Sequence, residues 1–68
     1  MKTNIEKEEK YNKAHKQLVA AKELMRNIWV NDVDLDTKEE KNLDEALSAI
    51  ITAISRLEIA AMYNTLGK

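Results

Sequence analysis

The sequence predicts an all-α protein, a two-helix antiparallel hairpin that assembles into a homo-oligomeric helical bundle. Two long stretches carry apolar residues in alternating steps of three and four, which is typical of helices packed along a seam. A short acidic segment, 31–36, separates them. The 68 residues include no proline and one glycine, so neither stretch is interrupted. We therefore expect a single domain spanning residues 1–68.

The first helix is predicted over about residues 4–30. Thr3 and Glu6 have the spacing of a capping box, in which a hydroxyl accepts a free amide of the first turn and the glutamate reaches back. An apolar seam then follows, made of Tyr11, Ala14, Leu18, Ala21, Met25 and Ile28. It favours packing against one neighbouring helix.

The second helix is predicted over about residues 37–65. Asn31 is a candidate left-handed cap for the first helix, and we expect Val33 and Leu35 to cover the loop end of the bundle. Thr37 and Glu40 repeat the capping-box spacing, with Asp36 as a rival cap. The second seam consists of Leu43, Leu47, Ile50, Ile54, Leu57 and Ala61.

Apolar residues outside both seams predict self-association. They are Val19, Leu24, Trp29 and Val30 on the first helix and Ile51, Ile59, Met62 and Leu66 on the second. Two helices cover one stripe each, so this surface needs another helix. The chain has no cysteine and one histidine, which excludes disulfides and most zinc sites as sources of stability. A two-fold dimeric four-helix bundle is the simplest solution, and higher rings stay open.

Charge and hydropathy bear on location and on some classes of partner. The net charge is −1, with +3 on residues 1–30 and −4 on residues 31–68, a division that favours antiparallel pairing of the halves. This balance is far from that of a dedicated DNA-binding domain. Neither a signal peptide nor about 18 uninterrupted apolar residues is found. We expect a cytoplasmic protein with no membrane partner.

Metal binding, cofactors and catalysis are not predicted. Asp32, Asp34 and Asp36 imitate the first ligands of an EF-hand, but Thr37 stands where that loop needs glycine and Leu43 where it needs glutamate. His15 is a lone histidine without a nucleophile at a spacing that forces contact. The sequence predicts neither a metal site nor an enzyme.

Binding to another protein is the preferred function. Trp29 is a large side chain off the main seam, and such residues often anchor interfaces. In the competing interpretation, Trp29 has a structural role and closes the loop end of the bundle by packing against Val33, Leu35 and Leu43. The candidate partner-binding residues are Trp29, Ile51, Ile59 and Met62. A small regulatory or inhibitory protein, of a kind that a phage or mobile element carries, fits this size.

The alternative is binding of RNA or of a small phosphorylated, cyclic nucleotide. His15, Lys22 and Arg26 follow one flank of the first helix, and Tyr11 offers a ring on which a base can stack. These residues can equally form a solvated face whose charge neighbouring glutamates dilute.

Two resemblances accompany this alternative. The seam residues Leu43, Leu47, Ile50 and Ile54, after a short acidic loop, resemble the plasmid RNA-binding hairpins of the Rop type, which implies a four-helix dimer that grips RNA. Tyr11, Lys22 and Arg26 resemble the aromatic and cationic set of small phage hairpins that enclose cyclic oligonucleotides between chains, although the second helix here offers only Arg56.

Overall fold

The computed structural model describes residues 4–66, which form two α-helices packed against each other. Helix α1 spans Asn4–Asn31 and helix α2 spans Lys38–Leu66. The predicted hairpin is confirmed, with each described boundary within about one residue of its predicted position. The predicted cap at Thr3 lies outside the described residues.

The hairpin is a rod. Its principal extents are 49 × 16 × 15 Å. The radius of gyration is 15.5 Å, whereas a globular domain of this length has about 11 Å. The molecule is thus one layer of two helices, with no second layer to enclose the apolar sides.

The seams predicted from the sequence form the contact between the helices. The half-buried seam residues are Tyr11, Ala14, Leu18, Ala21 and Met25 on α1 and Leu43, Leu47, Ile50, Ile54, Leu57 and Ala61 on α2. Ile28 departs from the pattern because it is 40% exposed. Ten residues separate it from Leu18, and at about 100° per residue it lies about 80° away around the helix.

Helix α1 ends in a wide turn. The Ile28 carbonyl accepts the backbone N–H of Asp32 and that of Val33, both at 2.8 Å. The predicted left-handed cap at Asn31 is wrong, because Asp36 is the non-glycine residue with positive φ, 61°, in the described part of the chain. Val33 is half-buried at the loop end of the hairpin, whereas Leu35 is 68% exposed there.

Helix α2 begins with the predicted Thr37 cap. The Thr37 hydroxyl accepts the N–H of Glu40 at 3.2 Å and donates to the Asp34 carbonyl at 2.6 Å. Glu40 Oε1 accepts the N–H of Asp36 at 3.0 Å. In a standard capping box the glutamate would bond the N–H of Thr37 itself, whereas here Glu40 bonds the N–H of the preceding residue. One threonine fixes both the helix start and the preceding turn.

Replacing Thr37 by alanine should lower the free energy of unfolding by about 1 kcal/mol, because it removes the cap of α2. Urea unfolding at fixed chain concentration measures this loss. Thr37→Ser keeps the hydroxyl and should lower the free energy of unfolding by at most about 0.3 kcal/mol. Equal losses in the two variants would show that the hydroxyl is not the stabilising group.

Replacing Ile54 by alanine should destabilise the protein by about 2 kcal/mol, at the low end for such truncations because the residue is half-buried. Ser55→Ala alters the next residue, which is exposed, and should change stability by less than about 0.5 kcal/mol. Thermal unfolding followed by circular dichroism compares the two. A similar cost at both positions would contradict the seam.

Candidate interaction surface

The hairpin has no enclosed interior. Between residues 5 and 66 no side chain is buried, apolar or polar. The exposed large apolar residues are Ile5, Leu24, Ile28, Trp29, Val30, Leu35, Ile51, Ile59, Met62, Tyr63 and Leu66. Monomeric proteins rarely expose large contiguous apolar patches, so a place where several of these residues meet is a candidate site of interaction.

A groove lies along one side of the seam near the loop end. It has a volume of about 340 Å³. Its lining residues come from both helices, and we call it the Trp29 groove: Arg26, Trp29 and Val30 from α1, and Asp44, Leu47, Ser48 and Ile51 from α2. The lining thus combines apolar side chains with one cation from α1 and one carboxylate from α2.

The structure brings two of the four predicted partner-binding residues, Trp29 and Ile51, into one groove. Trp29, 38% exposed, and Ile51, 55% exposed, line the same groove. Met62 follows Ile51 by eleven residues, about three turns, and so lies on the same side of α2. Ile59 is outside the groove, about 80° from Ile51 around the helix. The surface is therefore centred on Trp29 and Ile51, with Met62 farther along.

The competing interpretation places Trp29 against Val33, Leu35 and Leu43 at the loop end. In the groove, Trp29 lies with Leu47 and Ile51 of α2, and none of those three loop-end residues lines it. More than a third of the Trp29 surface stays open.

A second depression lies toward the open end of the hairpin, with a volume of about 260 Å³. Its lining residues are Tyr11, Asn12, His15, Leu57, Glu58 and Ala61. His15 Nε2 lies 2.8 Å from Glu58 Oε2, so a hydrogen bond joins the two helices here. Sequence reasoning missed Glu58, because its contact with His15 depends on the register of the hairpin.

The predicted anion-binding residues do not converge. Tyr11 and His15 share the second depression, whereas Arg26 lines the Trp29 groove. Eleven residues separate His15 from Arg26, which corresponds to about 16 Å along the helix. Lys22 lies between them and is half-buried. One nucleotide therefore cannot contact all four residues of a single chain.

Carboxylates accompany the cations of this flank. Glu58 contacts His15, and Asp44 lines the same groove as Arg26. Glu23 shares a shallow depression with Arg26 on its outer side. These acids lower the positive potential that phosphate binding requires.

The loop aspartates do not converge as metal ligands. The described residues contain no group of three or more histidine, aspartate or glutamate side chains placed to hold a metal ion. Asp34 and Asp36 instead offer backbone groups to the Thr37 and Glu40 cap.

Comparison with known proteins identifies no relative. No family model, no curated protein and no solved structure matches the chain.

Helix α2 has a further property. It is long and apolar enough to cross a membrane by length and composition alone, a criterion that the buried core helices of soluble proteins also meet, and no residue of α2 is buried within this hairpin. Arg56 and Glu58 interrupt its apolar stretch.

Replacing Lys22 and Arg26 together by glutamine tests the anion site. If the flank holds phosphate groups, the double variant should lose about tenfold or more in affinity for a single-stranded RNA or a cyclic dinucleotide, and the parent's affinity should fall steeply with salt. Because Asp44 and Glu23 line the depressions that Arg26 also lines, we expect no measurable binding by the parent in calorimetric titration. Salt-sensitive binding that the double variant loses would establish the site.

Proposed function

We propose that this chain is a non-enzymatic binding protein that acts through protein–protein contact as a homo-oligomer. The contact surface is centred on Trp29 and Ile51 and extends along the hairpin toward Met62 and Ile59. The observation that carries this proposal is the lack of any buried side chain from residue 5 to residue 66 in a chain with two well-formed helices.

The exposed area supports self-association. The chain exposes 5552 Å², whereas a folded monomer of 7.8 kDa exposes about 4,400 Å². The excess of about 1,200 Å² exceeds the roughly 800 Å² that each partner contributes to a standard interface and falls in the range of obligate dimers. A second hairpin would remove this excess.

The role that we propose follows from this surface. A small cytoplasmic chain that acts by contact alone suits regulation or inhibition of another protein, with no cofactor and no membrane partner. A phage or mobile-element origin stays a prediction.

The second candidate is nucleotide or RNA binding at the depression that Tyr11 and His15 share. Its support is that the structure brings the phenol ring of Tyr11 and the imidazole ring of His15 into one depression. Glu58 disfavours it, because its carboxylate contacts the imidazole.

Sedimentation equilibrium tests the preferred function. The chain should be a dimer or larger at micromolar concentration, and its melting temperature should rise with concentration, because association stabilises the folded state by mass action. Ile51→Ser should weaken association at least about tenfold, since it removes an interface side chain.

Tyr63→Ser is the matched control, because Tyr63 is also an exposed large side chain of α2 but does not line the Trp29 groove. It should leave the mass unchanged. A monomeric parent with a concentration-independent melt would refute the proposal.

A further inference from the structure

We infer that the Trp29 groove is covered by a second copy of this chain, placed so that α1 of each copy lies on α2 of the other. The two-fold axis then runs parallel to the helices, and both interhelical loops lie at the same end. This inference rests on the self-association proposed above and specifies its geometry.

Segregation of charge between the helices is the first argument. Helix α1 carries six Lys or Arg against four Glu, whereas α2 carries three against five Asp or Glu. On the groove side, His15 and Arg26 belong to α1, and Asp44 and Glu58 belong to α2. A mildly positive helix therefore alternates with a mildly negative one.

Two hairpins can stack in two ways, and these differ in which helices meet at the interface. A two-fold axis perpendicular to the helices places α1 on α1 and α2 on α2, so helices of like net charge meet. An axis parallel to the helices places α1 on α2 of the other copy, so helices of opposite charge meet. Because juxtaposed like charges are unfavourable at an interface, the second arrangement is preferred.

The positions of the grooves provide the second argument. Arg26 and Asp44 line one groove at the loop end, and His15 contacts Glu58 toward the other end. Rotation about the parallel axis keeps every residue at its own height along the bundle. It therefore brings Arg26 close to Asp44 of the second copy, and His15 close to Glu58 of the second copy.

The same rotation joins the two grooves. Each Trp29 groove stays at the loop end, so the indole of one copy lies over the Ser48 and Ile51 region of the other. The small Ser48 side chain leaves room for the ring. The perpendicular axis would move the second groove to the opposite end, and each indole would then face the region of the His15–Glu58 contact.

A charge-swap experiment tests the arrangement. Arg26→Glu and Asp44→Arg should each weaken self-association by about tenfold or more, because each places like charges together twice in the homodimer. An equimolar mixture of the two variants should restore dimers. In the mixed dimer the two substituted positions carry opposite charges across one contact, and the native pair of Arg26 and Asp44 forms across the other. Sedimentation velocity of each variant and of the mixture measures this.

Lys16→Glu is the matched control for the charge swap. It changes the net charge by the same amount as Arg26→Glu, on an exposed side of α1 outside the groove. It should leave the dimer affinity within about twofold, since an exposed charge outside the interface contributes little. If mixing fails to restore dimers, the proposed arrangement is wrong.

The distance between the loops of the two copies tests the proposed arrangement independently. The chain has no cysteine, so Asp34→Cys provides a single spin-label site in the exposed loop. Diagonal helices in a bundle are about 14 Å apart, so labels in the proposed dimer should lie within about 30 Å of each other. Loops at opposite ends would separate the labels by a distance close to the 49 Å length of the rod.

The outcomes separate this inference from the proposed function. A dimer with distant labels would overturn the arrangement and leave self-association intact. A monomer by sedimentation would overturn both. A dimer with close labels and restoration on mixing would establish the arrangement.

Discussion

A single layer of two helices cannot enclose a side chain, and the rest of this structure depends on that constraint. Each helix contacts its neighbour along one stripe, so even the seam residues Leu18, Leu47 and Ile54 stay half-exposed. Helices of 28 and 29 residues gain most of their stability from burial of an apolar face, and propensity alone is marginal. The apolar residues beside the seam therefore mark the surface that a second layer would cover.

Local signals in the sequence predicted the helices and the start of α2 well, because those signals act over a few residues. The seam depends on a period near 3.5, and the Thr37 cap needs a partner only three residues away. The sequence favours Asn31 as the left-handed residue of the loop, whereas Asp36 takes that conformation, because several short polar residues of this segment can satisfy a loop in more than one way.

The candidate site was less predictable because it depends on register. Trp29 and Ile51 were each recognised as surplus apolar residues, but their meeting in one groove follows from how the loop sets α1 against α2. The wide turn at the Ile28 carbonyl and the positive φ of Asp36 fix that register, and neither is visible in the apolar pattern. The pairing of His15 with Glu58 was missed for the same reason.

The same pairing bears on both functions considered for this chain. Negative charge near a site weakens phosphate binding, and Glu58 beside His15 and Asp44 in the groove of Arg26 therefore oppose an anion site at these residues. When helices of opposite sign alternate, however, the carboxylates favour one stacking of two hairpins over the other. Apolar contact supplies most of the affinity but does not favour either arrangement of the two hairpins. Charge pairs favour one arrangement but contribute little affinity. The alternation of Arg26 with Asp44 around a groove lined by Trp29 and Ile51 combines the two effects, as a self-complementary interface requires.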